Sequence, residues 1–270
     1  MIIHGLSNTE YHARPEVSSS QLKTILRSPA HFHEAYLSGA PKKEPSASMV
    51  LGSLTHTLFL EPEKYASEYI IAPECDRRTK EGRAIHADFM ASAEGKTVIT
   101  QDQLQDAQAM ASSLCDHIIH EAMTGGYAEA SIFYGDDATD LNCRIRPDYH
   151  IAPNDDWQTG LIIDVKTTDD ARPDAFARTC ITYGYDLSAA MYCDGFMRHY
   201  GTTEPPLFLL LVVERDAPNA VACYECSPEM LAKGDEKYRR ALALLAECRE
   251  KNEWPGYDSG IQLLNLPKWA

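Results

Sequence analysis

The sequence predicts an α/β fold in which a mixed central sheet is flanked by helices. Three observations lead to this prediction. Helical patterns dominate residues 1–125, short apolar strand patterns recur through residues 126–226 with helices between them at 173–198, and an amphipathic helix opens residues 227–270. The 270 residues, 44% of them hydrophobic, can bury a substantial core. We therefore expect one domain over residues 1–270, with a separate helical N-terminal domain as the alternative.

Capping and turn residues set the expected bounds of these elements. Thr100 and Gln103 form a capping box that starts a long helix, and Gly125-Gly126 ends it. Ser227-Pro228 starts the last helix. Further helices are predicted at residues 18–39 (two short ones), 48–60, 80–93 and 173–198. Strands are predicted at residues 68–72, 128–134, 141–151, 161–167, 207–214 and 220–226.

The charge balance limits the possible classes of function. The chain has 25 Lys and Arg residues against 40 Asp and Glu residues, so its net charge is −15. A protein that passively coats nucleic acid needs an extended basic surface, and this composition argues against one. An enzyme that holds DNA in a local basic channel remains compatible with it. An acidic protein without a nucleic-acid partner is the alternative.

Cysteine usage and hydropathy indicate a reduced, cytoplasmic protein that does not enter a membrane. The eight cysteines are irregularly spaced, and only Cys223 and Cys226 form a CxxC pair. A disulfide framework or a zinc site is therefore not expected. No run of about 18 apolar residues is present, which a membrane-spanning helix would need. The N-terminus shows no secretion-signal pattern.

Two aspartates and a lysine are expected to meet on a β-hairpin. Side chains alternate between the two faces of a strand, so Asp164 and Lys166 share one face while Ile163 and Val165 share the other. If residues 145–151 pair with residues 160–166 in antiparallel fashion, Asp148 lies opposite residue 163 or 164. The sequence therefore predicts that Asp148, Asp164 and Lys166 converge.

This group of charges suits metal-dependent phosphodiester hydrolysis. Two converging carboxylates repel each other and need a cation, and their hard oxygen atoms suit Mg²⁺ or Mn²⁺. A nearby lysine can stabilise the charge that grows on a phosphate during hydrolysis. A surface hairpin with an ordinary salt bridge is the alternative, because an Asp-x-Lys sequence is common.

These residues carry a family resemblance. An acidic residue, then Pro147-Asp148, then Asp164-x-Lys166 on the next strand resembles the PD-(D/E)xK nuclease superfamily. More closely, the chain resembles the nuclease domain of RecE-type exonuclease VIII over nearly its whole length. The matching segments are, in chain order, Tyr11-His12, Val17-Ser-Ser-Ser-Gln-Leu22, Ser28-Pro-Ala-His-Phe32, Gly52-Ser-Leu-Thr-His56, Arg146-Pro-Asp148, Asp164-Val-Lys166 and residues 185–192. The resemblance implies a restriction-endonuclease-like core with an added helical N-terminal region.

The resemblance also implies roles for residues of the hairpin and of one helix. Asp148 and Asp164 match the metal-binding carboxylates of the family, and Lys166 matches its catalytic lysine. The backbone carbonyl of Val165 would complete the metal site. His56 matches a position on a helix beside the metal, although an isolated histidine in an apolar helix is otherwise a core residue. The implied cofactor is Mg²⁺, with Mn²⁺ able to substitute.

Two further residues near this motif have open roles. Glu129 lies on the strand before the hairpin and either supports the metal ligands or is structural. Tyr192 matches the tyrosine of a Gln-x-x-x-Tyr motif in relatives, and it either faces the site or packs within its helix. Ser188 stands where those relatives carry the glutamine, which is a departure from the family pattern.

The N-terminal segment offers candidate DNA contacts. Residues 18–20 start a helix, and a helix N-terminus presents free N–H groups to a phosphate. Ser20 belongs to this helix start, and Arg14, Lys23 and Arg27 lie nearby, so the segment could hold a DNA end or the scissile phosphate. The resemblance favours Arg14 and Ser20. Plain helix capping and solvated charges are the alternative for each.

Taken with the resemblance, the sequence predicts an exonuclease that degrades linear double-stranded DNA from 5′ to 3′. Such an enzyme would leave 3′ single strands for recombination by strand annealing. The resemblance further implies a ring-like homotetramer and a single-strand annealing protein as partner. The alternatives are another nuclease of the superfamily, such as an endonuclease or a RecB-like module, and a non-catalytic protein-binding scaffold.

Overall fold

The computed structural model describes residues 1–41, 44–76, 78–93, 95–257 and 260–266. Its helices are α1 (Asn8–Ala13), α2 (Ser19–Arg27), α3 (Pro29–Tyr36), α4 (Ala47–Leu60), α5 (Tyr65–Glu68), α6 (Lys80–Ser92), α7 (Gln101–Cys115), α8 (Ile119–Ala122), α9 (Pro173–Tyr183), α10 (Tyr185–Tyr200) and α11 (Pro228–Lys251). A 3₁₀ helix covers Pro62–Lys64. Within the described ranges, no helix has the length and apolar character that crossing a membrane requires.

The strands are β1 (Ile2–Ile3), β2 (Tyr69–Ile71), β3 (Thr97–Ile99), β4 (Tyr127–Ala128), β5 (Ser131–Asp136), β6 (Leu141–Ile145), β7 (Tyr149–Ile151), β8 (Leu161–Thr168), β9 (Leu207–Glu214) and β10 (Val221–Glu225). They form a five-stranded sheet in the order β10-β9-β8-β7-β4, a three-stranded sheet β1-β5-β6 and a parallel pair β2-β3. In the five-stranded sheet only β8 and β9 run parallel. The predicted mixed sheet between helices is therefore confirmed.

Helices cover both faces of the five-stranded sheet. On one face, Val165 and Leu211 pack with Phe59 of α4 and Leu114 of α7. On the other face, Phe208 and Leu210 pack with residues of α9 and α10. The alternation along β8 places Asp164 and Lys166 on the side of α9 and α10. The three-stranded sheet has its own core with α2, α10 and α11.

Two predicted strands are each interrupted, and the interruptions divide them between the two sheets. The strand expected at residues 141–151 breaks at residues 146–148, where Pro147 has no N–H to donate to a sheet. The strand expected at residues 128–134 breaks after Ala128, where Glu129 adopts a left-handed conformation with φ of 49°. Such a φ is uncommon outside glycine. Glu129 and Asp148 therefore both lie outside the strands, where the chain passes between the three-stranded and the five-stranded sheet.

The helix expected from residue 100 to about residue 123 is also shorter than predicted. The Thr100 capping box is present, with the Thr100 N–H donating to Gln103 Oε1 at 2.9 Å. The helix ends at Cys115, however, and a separate turn of helix, α8, follows. The other predicted helices and strands agree with the structure to within a few residues.

Candidate active site

Asp148 lies at the start of β7, where the backbone fixes its carboxylate. Tyr149 pairs with Ile163 across the antiparallel β7–β8 pair, so the expected hairpin is confirmed and Asp148 lies next to Asp164. Asp148 Oδ2 accepts a hydrogen bond of 2.6 Å from the N–H of Val165. Burial raises the pKa of Asp148, and the Asp164 carboxylate adds to this effect, although His56 and Lys166 oppose it.

Asp164 and Lys166 form a buried ion pair on β8. The Lys166 ammonium contacts Asp164 Oδ2, lies 3.9 Å from Asp148 Oδ2 and donates to the Val165 carbonyl at 3.1 Å. Burial lowers the pKa of Lys166, but the two carboxylates outweigh it and raise the pKa above its usual value. The lysine is therefore charged and held between both carboxylates and the carbonyl expected to bind a metal.

Helix α4 carries His56 to the same place. Gly52 approaches Thr167 of β8, where an added Cβ would lie 3.5 Å from Thr167 Oγ1. His56 follows one turn later on the same side of the helix. Its Nδ1 atom lies 3.6 Å from Asp148 Oδ2, and its side chain is 24% exposed. The structure therefore places His56 beside Asp148 rather than within the apolar core.

Glu129 joins this group through its unusual backbone. Its N–H donates to the Asp148 carbonyl at 3.0 Å, and its left-handed conformation turns the chain out of the sheet. One donor atom each from His56, Glu129 and Asp148 lies within 4.8 Å of the other two. Burial raises the pKa of Glu129, and the Asp148 carboxylate raises it further. Backbone strain held in this way is common at functional sites.

The donor atoms of this group fit a hard divalent cation. Carboxylate oxygens are the preferred ligands of Mg²⁺ and Mn²⁺, and one imidazole nitrogen is acceptable to Mn²⁺ in particular. The group is asymmetric, because Asp148 faces His56 and Glu129 while Asp164 is paired with Lys166. A bound metal would replace Lys166 as the main partner of the carboxylates that ligate the metal.

A polar cavity of about 280 Å³ opens on the His56 side of this group. His56 and Glu129 line it, together with Glu61, Lys64 and Arg146. Glu61 and Lys64 are paired with each other at 2.7 Å. The Arg146 guanidinium donates to Ser131, Asn8 and the Leu6 carbonyl, all at 2.8–2.9 Å. The cavity gives the donor group access to solvent from one side.

Tyr192 lies on α10 near the carboxylates. Burial raises the pKa of its phenol well above the ordinary value, and the neighbouring Tyr11, Asp164 and Asp148 act in the same direction. Its ring also lies 6.4 Å from the ring of Phe208, so it packs in the core as well. Ser188, one turn earlier, is buried.

The three candidate DNA contacts of the N-terminal segment have surroundings other than the carboxylate group. Arg14 is paired with Glu16 at 2.6 Å, and its guanidinium lies 4.2 Å above the ring of Phe133. Ser20 is exposed in the first turn of α2, and Arg27 is exposed at its last residue. The Arg14 side chain donates to Glu16, and the Ser20 carbonyl accepts from Thr24 Oγ1, so neither contact involves the carboxylates of the candidate site.

The sequence places Lys23 among the charges near the start of α2 but does not predict that Lys23 and Tyr185 lie beside Lys166. The ammonium groups of Lys166 and Lys23 lie 5.3 and 5.5 Å from the centre of the Tyr185 ring. A weak signal was available for Lys23, because it follows Ser19 by four residues and Leu22 by one. It therefore occupies the inward-facing stripe of α2, where a lysine is unusual.

Known proteins agree with this fold. The family described as a PDDEXK-like domain of unknown function (DUF3799) matches residues 18–267. A crystal structure of a "putative exonuclease" from Eubacterium rectale aligns with a TM-score of 0.62 and 12% identity, over 98% of this chain and 96% of that one. A structure named SSO0001 aligns with a TM-score of 0.33 and 14% identity, over 71% and 85% of the two chains. No curated protein shows significant similarity to the sequence.

The first of these structures shows a shared fold, and the second is too distant to add to the argument. The family match covers nearly the whole chain, including all the residues of the candidate active site. The chain belongs to the PDDEXK-like domain family DUF3799 and has the fold of a PD-(D/E)xK nuclease domain.

Proposed function

We propose that this chain is a metal-dependent exodeoxyribonuclease that degrades linear double-stranded DNA from 5′ to 3′. The observation that carries the proposal is the meeting of His56, Glu129 and Asp148 with the Asp164–Lys166 pair at the junction of two sheets. Such a set of donors and one buried cation suits phosphodiester hydrolysis. It is an unusual arrangement for a salt bridge that only stabilises the fold, because burying several charges is costly.

The proposed cofactor is Mg²⁺, for which Mn²⁺ can substitute. Asp148, Asp164 and the Val165 carbonyl would hold it, as the family resemblance implies, and His56 and Glu129 are close enough to Asp148 to contribute. When bound, such a cation polarises the phosphoryl oxygen and lowers the pKa of water. Binding would also relieve the repulsion that raises the pKa of Asp148 and of Glu129.

The residues of the chain have distinct roles in this proposal. The Val165 N–H holds the Asp148 carboxylate in one orientation. Without metal, Asp164 and the Val165 carbonyl hold the Lys166 ammonium beside the proposed metal ligands. Lys166 would stabilise the negative charge that develops on the scissile phosphate.

The preference for DNA ends, the 5′ to 3′ direction and the 3′ single-stranded product rest on the resemblance to RecE-type exonuclease VIII. The same resemblance supports a ring-like homotetramer and a single-strand annealing protein as partner. The cysteine usage of the sequence supports action in the cytoplasm. A central channel would allow a chain with a net charge of −15 to hold DNA locally.

A comparison of DNA substrates tests the proposed activity. Linear duplexes carrying a label at the 5′ or the 3′ end, and a closed circular duplex, are incubated with the protein in Mg²⁺ or in EDTA. We expect early release of the 5′ label, persistence of the 3′ label and no cleavage of the circle. Cleavage of the circle would support an endonuclease instead, and early release of the 3′ label would contradict the proposed direction.

A metal titration separates these nucleases from a non-catalytic scaffold of the same fold. Calorimetry should detect Mn²⁺ binding that is lost in Asp148→Asn. A protein that binds no Mn²⁺ and degrades no DNA would support the scaffold. Light scattering of the purified protein measures its mass, and a monomer at working concentration would contradict the proposed ring.

A further inference from the structure

Lys23 is packed into the wall of the candidate site by its own side-chain carbons. It lies in the middle of α2, and its stem passes over Gly184, between α9 and α10. A Cβ added to Gly184 would lie 3.5 Å from Lys23 Cγ, Cδ and Cε. The ammonium group continues past this point to the ring of Tyr185, 5.5 Å from its centre. The packing therefore directs the charge towards β8, while the residue stays partly accessible to solvent.

Within the part of the chain that the structure describes, the charge of Lys23 has no matching anion. No described carboxylate forms an ion pair with it; Asp164 and Asp186 act on it only at longer range. Burial, and after it the positive charge of Lys166, lower the pKa of Lys23 to about 8, against the effect of Asp164 and Asp186. Charged groups that are largely withdrawn from water are normally paired, so a cation without a partner indicates a place for an anion.

Lys166 is paired with a carboxylate and Lys23 is not, although both ammonium groups contact the Tyr185 ring. The ammonium of each lies within 5.5 Å of the centre of the Tyr185 ring. Lys166 is neutralised by Asp164 and lies near Asp148, so it belongs to the carboxylate group. Lys23 adds a positive charge outside that group. An anion that reaches the carboxylates through a bound metal would have the Lys23 charge nearby, because both ammonium groups contact Tyr185.

We propose that Lys23 binds a backbone phosphate of the nucleic-acid strand next to the phosphate held at the metal site. This inference rests on the proposed nuclease function and adds a residue that fixes the position of the strand. It assigns no chemical step to Lys23. A lysine suits this role because it contacts phosphate as a point charge.

The salt dependence of DNA binding tests this inference. A fluorescent duplex with a 5′-phosphate is titrated with protein in Ca²⁺ at several salt concentrations, and its integrity is checked on a gel. Each phosphate contact contributes about 0.9 to the slope of log K against log salt for duplex DNA. We expect Lys23→Met to weaken binding about tenfold and to reduce the slope by about 0.9.

Three variants complete the experiment. Lys23→Arg keeps the charge and should keep the slope, and Lys23→Gln repeats the test if the methionine variant folds poorly. Lys233→Met removes an exposed lysine that is paired with Glu236 on α11, and it should leave binding unchanged. Mn²⁺ affinity, measured by calorimetry, should not fall in any variant, because Lys23 donates no ligand to the metal and a positive charge near Asp164 opposes metal binding.

The outcomes distinguish this inference from the function on which it rests. Wild-type protein that neither binds nor degrades the duplex would overturn the proposed function and the role of Lys23 with it. Wild-type protein that binds, combined with an unchanged slope in the folded Lys23→Met variant, would overturn the role of Lys23 alone. In that case the lysine only supports the packing of Tyr185 and Gly184.

Discussion

Replacing Glu129 with glutamine removes one negative charge from the donor group and changes little else. Burial and the Asp148 carboxylate raise the pKa of Glu129 from 4.5 to about 8, against the effect of Arg146. The folded protein therefore binds this proton more tightly than the unfolded chain does. Without metal, the free energy of unfolding should fall as the pH rises from about 4.5 through about 8, and should then stay low.

The size of the effect follows from the separation of the two pKa values. Each unit corresponds to about 1.36 kcal/mol, so the upper limit above pH 8 is about 5 kcal/mol. Glu129 is not fully enclosed, and solvent screening reduces this figure to about 2 kcal/mol. Metal-free Glu129→Gln should therefore be more stable than wild type by about 2 kcal/mol near pH 8.5. Its melting temperature should rise by about 4–8 °C.

Thermal unfolding in EDTA near pH 5 and near pH 8.5 measures this difference, which should be small at the lower pH. Glu61→Gln is the matched control, since it removes a carboxylate from the same cavity that is already paired with Lys64. Glu129→Gln should also bind Mn²⁺ more weakly and lose most of its nuclease activity. An equal melting temperature for Glu129→Gln and wild type near pH 8.5, or an equal gain in the control, would refute the reasoning.

Three further substitutions test the other residues of the site. Asp164→Asn should abolish DNA degradation, and degradation at the wild-type rate would contradict the assignment. It should also destabilise the metal-free protein by about 2–4 kcal/mol, because it leaves buried Lys166 without its partner. Lys166→Ala should lower turnover by about 10²–10³ yet keep Mn²⁺ affinity, and a joint loss of both would indicate a disrupted hairpin instead. His56→Ala should weaken Mn²⁺ binding and turnover per folded molecule, and unchanged turnover at saturating Mg²⁺ would remove His56 from the site.

The outcome expected for Asp164→Asn shows how the structure changes a prediction. From sequence, two close carboxylates are expected to repel, so removing one charge should leave the metal-free protein equally or more stable. The structure shows the Lys166 ammonium against Asp164 and 3.9 Å from Asp148. The loss of a buried partner then outweighs the relief of repulsion.

The sequence by itself determined the fold class and the central pair of the site. Strand alternation has a fixed period of two, so Asp164 and Lys166 had to share a face of β8, and the expected antiparallel pairing placed Asp148 opposite residue 163 or 164. The observed register, which pairs Tyr149 with Ile163, selects Asp164. Capping residues likewise set the starts of α7 and α11. These features depend on neighbours along the chain, which is why local rules predict them.

Only the tertiary structure decided which other side chains reach this pair. Glu129 joins His56 and Asp148 because its left-handed backbone leaves the sheet at the point where Pro147 breaks the next strand. Lys23 reaches Tyr185 because α2 packs across the turn at Gly184, more than 150 residues away in sequence. Such contacts depend on how whole helices and sheets pack against one another. No periodicity within a single segment encodes them, so they could not be derived from the sequence alone.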